Sequence, residues 1–201
     1  MGSICICSSA QNAFGIKSGV NLASLSGFDD ELSDDFDAAV YPLLSVSIVG
    51  KIELSYSANL MLELGLVQRG GKWSMDENGV EGEVSVNFNQ IQFSPSIAFN
   101  VSDEFSIGFG PYLGHATEFT AKGSASFIGG ETESYEETNG FEKENELDYG
   151  VNVYFNYLID DSFLISAGYS KGLMDYNSEY VDADVSNNSG IVISVGYFFG
   201  N

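Results

Sequence analysis

Apolar and polar residues alternate with a period of two along most of this chain, and no segment carries a helical stripe. In FGIKSGVNLASLSG, Phe14, Ile16, Val20 and Leu22 share one phase, while Gly15, Lys17, Gly19 and Asn21 share the other. The same rhythm runs through SANLMLELGLVQ, EFSIGFGPYLG, NELDYGVNVYFNYL and SGIVISVGYFF. It predicts eight strands, over 12–24, 40–53, 57–69, 82–100, 105–121, 145–158, 163–174 and 189–199. A slip of phase near Asn89 and Gln90 predicts a bulge.

The connections alternate in length. Those at 53–58, 100–104 and 159–162 are short, and those at 25–39, 70–81, 122–144 and 175–188 are long. Each strand is long enough to cross a bilayer at a tilt. The expected fold is therefore all-β: an eight-stranded antiparallel up-and-down transmembrane barrel. Short periplasmic turns and long acidic extracellular loops alternate, and both termini lie on the periplasmic side.

The two faces decide which side is inside. In a soluble barrel the oily face would point inward and the polar face would meet water. Here the polar face carries Gly15, Gly19, Gly65, Gly108, Gly110, Gly114, Gly150 and Gly168, and few charges. Small residues suit a narrow, filled interior, and an eight-stranded ring leaves room for little more than side chains. Phe14, Ile16, Val20 and Leu22 are thus expected to face lipid. A polar network of Lys17, Asn21, Lys51, Glu53, Glu63, Asp148 and Asn152 is expected in the lumen. Its charges need partners, so Lys17 and Lys51 are expected to meet Glu63, Glu53 or Asp148. Tyr41, Tyr56, Trp73, Phe119, Tyr157, Phe163, Tyr176 and Tyr197 are candidates for interfacial girdles.

A length of 201 residues fits one domain, over 11–201. Residues 1–10, MGSICICSSA, are expected to be the remnant of a secretory signal or an artificial leader. Cys5 and Cys7 sit there, one residue apart, and have no zinc spacing. The formal net charge is −22, from 29 acidic and 7 basic residues, which excludes nucleic acid as a partner. No run reaches the ~18 apolar residues that a transmembrane helix needs.

Five stretches carry a resemblance: FGIKSGVNLASLSG, LELGLVQRGG, GPYLG, GYSKGLMDYN and VGYFF, in that order. Together they resemble the PorT-like family of outer-membrane β-barrels from Bacteroidetes. The resemblance implies a signal-bearing precursor, an eight-stranded barrel and residence in the bacterial outer membrane. The family is named after a member tied to protein secretion by the type IX system. The fourth strand departs from the family pattern: QIQFSPSIAF replaces a Tyr-Leu-Glu-Ile-Pro-like stretch and keeps only Pro95.

Catalytic chemistry has little support in the sequence. The lone histidine, His115, falls on the lipid phase and has no nucleophile beside it. No catalytic or cofactor-binding residue is expected. Acids gather in the long connections: Asp29, Asp30, Glu31, Asp34, Asp35 and Asp37 in the first, Asp182 and Asp184 in the last. These are weak candidates for divalent cations, because DADVSNNSG lacks the glycine and closing glutamate of a calcium loop. The functional expectation is a small, monomeric, non-enzymatic outer-membrane barrel. It would serve as a structural or accessory protein whose acidic loops contact a partner or a cation. A subunit of a secretion or envelope complex, a narrow channel for small solutes, an outer-membrane enzyme and a soluble ligand-binding barrel are the alternatives.

Overall fold

The computed structural model describes residues 12–25, 37–77, 80–127, 132–139, 147–176, 185–186 and 188–199. The elements are β1 (Ala13–Leu25), β2 (Asp37–Ala39), β3 (Tyr41–Ser55), β4 (Ala58–Glu77), β5 (Val80–Asn100) and β6 (Phe105–Phe127). Then come β7 (Thr132–Asn139), β8 (Leu147–Ile159), β9 (Phe163–Gly172), β10 (Asp175–Tyr176), β11 (Val185–Ser186) and β12 (Asn188–Phe199). Eight of them pair antiparallel in a closed cycle: β1, β3, β4, β5, β6, β8, β9, β12 and back to β1. These eight match the predicted strands to within a few residues, except at the outer ends of β4 and β6.

Those ends correct the reading of two long connections. β4 and β5 stay paired as far as Glu77 and Val80, so 70–81 is largely a hairpin rather than a loop. β6 runs on to Phe127, and β7 pairs with it over Phe119–Ser126, so 122–144 also contains paired strand. With 20, 21 and 23 residues, β4, β5 and β6 are about twice the length that a tilted spanning strand needs. They stand beyond the ring on one side, with β2 on the edge of β4 and β7 on the edge of β6. Gly70 and Gly71 look like a break in the sequence. In the fold, Gly70 takes a φ of 154°, and a Cβ there would lie 2.0 Å from the carbonyl oxygen of Val86. The backbone passes too close for any other residue, yet the pairing continues.

The bulge lies where the phase slips: the β5–β6 register shifts between Asn89 and Gln90, with Thr117 the extra residue. Tight turns join the strands at the opposite end. Asp160 and Asp161 have φ of 48° and 56°, and Ser162 N–H donates to the Ile159 carbonyl at 3.1 Å. Two successive left-handed residues match the right-handed twist of the flanking strands, as in a type I′ hairpin. The start of β1 and the end of β12 lie at this short-turn end.

Burial follows the predicted phase. Phe14 and Ile16 are 53% and 51% exposed, while Lys17 is 7% and Asn21 0% exposed. Leu147, Tyr149, Val151, Val153 and Phe155 point outward, as do Ile191, Ile193 and Val195. The outer surface is thus an apolar belt, while the lumen holds mostly serine, asparagine, glutamine, glycine and a few charges. At the short-turn end the lumen closes over an apolar plug of Ala13, Val49, Leu164 and Phe198.

Outward aromatics cluster near the same end. Phe163 and Tyr197 meet edge to face at 6.0 Å, Tyr197 and Phe199 at 5.3 Å, and Tyr56 and Tyr157 are exposed. Two girdle candidates are corrected. Trp73 is inside, 4% exposed, because its odd phase on β4 is that of the lumen. Tyr41 sits on the inner phase of β3, and its hydroxyl accepts from Asn87 Nδ2 at 3.3 Å. The side chains of Phe119 and Tyr176 lie outside the described part of the structure.

An arginine at Val153, midway along β8, tests what the belt faces. In lipid it is expected to cost about 2–4 kcal/mol of folding free energy, measured by denaturant titration in vesicles. The loss should shrink to about 0–1 kcal/mol for arginine at Tyr157, nearer the interface.

Candidate functional site

The lumen is built from residues that alternate with the belt, so every strand of the ring delivers side chains to it. Arg69 on β4 lies at its centre. It is 1% exposed, and its Nη2 donates to Gln92 Oε1 on β5 at 2.7 Å and to Ser170 Oγ on β9 at 2.9 Å. β4 and β9 stand opposite each other in the ring, so this one side chain crosses the lumen. Its Nε lies 3.7 Å from Asp148 Oδ2, and its guanidinium stacks 4.4 Å from the centre of the Tyr112 ring. Tyr112 Oη donates back to Asp148, at 3.1 and 3.2 Å from the two carboxylate oxygens. Turned so that its nitrogen faces the acid, the Gln90 amide donates to Asp148 Oδ2 at 3.1 Å. A buried carboxylate is thus held by an arginine, a phenol and an amide, the surroundings that a charge out of water requires.

A second layer lies nearer the short turns. Lys17 Nζ forms an ion pair with Glu63 Oε2, and Ser47 Oγ donates to Glu63 Oε1 at 2.7 Å. The same ammonium lies 4.9 Å from the centre of the Tyr154 ring, a cation–π contact. The two inward tyrosines need room in so narrow a ring. Each lies over a glycine on the neighbouring strand: Tyr112 over its partner Gly150, and Tyr154 over its partner Gly168. A Cβ would meet those rings at 2.5 and 2.3 Å.

Five of the seven predicted lumen residues are in these layers or beside them. Lys17 pairs with Glu63, one of the three acids open to it. Asp148 pairs with Arg69. Asn21 Nδ2 donates to the Gln68 carbonyl at 3.0 Å, and Asn152 Nδ2 lies 3.5 Å from Ser94 Oγ. Lys51 and Glu53 are not in either layer. Lys51 lines the mouth at the short-turn end, beside Asn59, Asn100, Asp103 and Glu104. Glu53 is half-buried two residues closer to the turn.

Arg69, Tyr112, Gln90, Gln92 and Ser170 are the functional residues that the sequence reading left out. Their signal was present: Arg69 continues the odd phase of Asn59, Glu63 and Val67.

His115 is outward, in register with Ile91 and Leu147. The cation candidates Asp29, Asp30, Glu31, Asp34, Asp35, Asp182 and Asp184 lie outside the described residues, and Asp37 is described only by its backbone in β2. Cys5 and Cys7 also lie outside. Among the described residues, no three acids, histidines or cysteines converge on a possible metal position.

The closed ring, apolar belt and polar lumen accord with the sequence comparison. A family model for the outer membrane protein beta-barrel domain matches residues 9–177. The chain belongs to that family. Among solved structures, this outer-membrane barrel is similar to Ail, the attachment invasion locus protein of Yersinia pestis. The two share 12% identity over 94% of this chain and 97% of that one, with a TM-score of 0.43. It is also similar to Neisserial surface protein A, with 14% identity, coverage of 94% and 97%, and a TM-score of 0.41. For OprG from Pseudomonas aeruginosa the values are 12%, 94% and 95%, and 0.37. No curated protein sequence matches the chain.

The central ion pair makes a prediction. Arg69→Met leaves Asp148 buried without its cation, and is expected to cost roughly 3–5 kcal/mol in denaturant unfolding. Adding Asp148→Leu to that variant should recover most of the loss, because the uncompensated charge goes with it.

Proposed function

We propose that this outer-membrane barrel is a sealed, non-enzymatic structural or accessory protein that holds an outer sheet and acidic loops above the membrane. One observation carries the reading: Arg69 reaches from β4 to Ser170 on the opposite wall, inside a lumen filled by bonded side chains. Such a lumen opposes steady flow of solutes. The extended β4–β5 and β5–β6 hairpins, with Glu81 and Glu83 exposed, support an outward-facing contact surface. In this reading the short turns and both termini are periplasmic. The long connections, with Asp29 to Asp37 and Asp182 and Asp184, meet the exterior, where they contact a partner or weakly bind divalent cations. The barrel itself is monomeric, and lipid surrounds its belt.

Membership of a secretion or envelope complex is the second reading. It rests on the PorT-like resemblance and on the one-sided outer sheet, whose edge strand β7 carries exposed Glu133, Glu136 and Glu137. Extraction in mild detergent separates the two. A stoichiometric companion that survives purification favours the complex, and a lone barrel at every salt concentration favours the self-standing protein.

Reconstitution in a planar bilayer checks the seal. The expected record is flat, without steady conductance steps. Uniform steps from the wild-type protein would refute the sealed lumen and favour the solute channel.

A further inference from the structure

We propose that the short-turn mouth of the barrel is a blind binding pocket for a small zwitterion with an apolar side chain, in chemical class a free amino acid. A cavity of about 440 Å³, its open mouth included, lies there and is lined from seven of the eight ring strands. Its floor is Met61, Leu158, Leu164 and Phe198, which belong to the apolar plug or pack against it. The plug stands between this cavity and the ion-pair layers of the lumen. A ligand therefore enters and leaves on the short-turn side. There is room at this level of the ring: a Cβ on Gly108 would meet Ala98 and Asn156 at ordinary contact distance, 3.7 Å.

The walls carry both signs of charge, held apart. Lys51 on β3 lines the cavity, and its ammonium has no ion pair or hydrogen bond among the described residues. Asp103 and Glu104, exposed in the β5–β6 turn, line the facing rim. Tyr56 Oη donates to Asp103 Oδ1 at 3.4 Å, and Ser102 Oγ donates to Glu104 Oε2 at 3.2 Å. The second oxygen of each carboxylate accepts from no described residue. On β8, Asn156 Oδ1 accepts from Ser166 Oγ at 2.8 Å, while its Nδ2 is a donor without a described acceptor.

This set of groups selects the ligand. A metal ion would be repelled by Lys51, and a simple anion by Asp103 and Glu104. A wholly apolar molecule would cover the ammonium and give it no partner. A zwitterion satisfies all of them. Its carboxylate accepts from Lys51, with Asn156 Nδ2 as a second donor, and its ammonium donates to Asp103 or Glu104. Its side chain lies on the floor of Met61 and Leu158. An apolar lining with a few placed polar groups is the usual make-up of a small-molecule site. The pocket is at the opposite end from the outer sheet and does not depend on what the loops contact.

The test titrates L-leucine into the full-length, isotope-labelled protein in dodecyl maltoside, whose head group carries no charge. The side-chain amide signals of Asn156 and Asn100 are followed. Saturable shifts are the expected result. 4-Methylpentanoate lacks the ammonium and isopentylamine lacks the carboxylate, so each should bind about ten-fold more weakly than leucine. Glycine, without an apolar side chain, should also bind more weakly. The absence of a saturable shift up to the solubility limit of leucine overturns the pocket. Equal binding by any of the three analogues overturns the assignment of its ligand. Lys51→Gln, and Asp103→Asn combined with Glu104→Gln, change the mouth and leave the ion-pair layers intact. Each is expected to weaken leucine about ten-fold, and an unchanged affinity in either contradicts the proposal. Should a variant not refold, the wild-type ligand series decides alone. Conductance is not read here, so a failure of the pocket leaves the sealed lumen standing.

Discussion

Backbone pairing in a medium without water is the constraint on which this structure depends. Inside hydrocarbon every N–H and C=O must find a partner in the protein, so a sheet that enters it has to close on itself. The chain meets that demand by joining its first and last ring strands, with Phe14 opposite Phe199 and Leu25 opposite Asn188. The rest follows from closure. Eight strands make a narrow ring, so the interior must be filled rather than open. The pleat sends alternate side chains outward, so the belt is oily and the lumen polar. The tyrosines of the lumen fit only because glycines face them from the next strand.

A polar lumen sealed from water has its own rule, since a buried charge is tolerated only when it is paired. The inner phase carries Lys17, Lys51 and Arg69 against Glu53, Glu63 and Asp148, so bases and acids balance there. Among the described residues, other acids are exposed beyond the ring, as at Glu81, Glu83, Glu133, Glu136 and Glu137. This division has a physical logic. Repulsion among carboxylates is screened within about 8 Å in saline water, but not inside a barrel. These exposed acids lie where water and salt can weaken their mutual repulsion.

Much of this was legible in the sequence because the period of two is strict. Phe14, Lys17 and Asn21 lie on the faces their phase assigned, and the slip at Asn89 and Gln90 is a real bulge. Other features were hidden by local composition. Gly70 and Gly71 resemble a loop, yet they serve a close backbone approach within a continuous hairpin. Ending the strand at position 69 left Arg69 without a role and made Trp73 a girdle candidate. Continuing the odd phase past Glu63 would have placed both inside. Which acid meets which base was beyond the pattern, because pairing across the lumen depends on the register of all eight strands. Lys51 was near enough in sequence to join the network but lies a level too low in the ring.

The account stands or falls on which face of each strand meets lipid. The direct measurement places single cysteines along β12 in a background with Cys5 and Cys7 changed to serine. Each carries a fluorophore, and quenching by brominated lipids is recorded. Strong quenching at 191, 193 and 195 with weak quenching at 192, 194 and 196 is the predicted pattern. Uniform quenching, or the opposite alternation, would contradict the fold as a lipid-facing barrel.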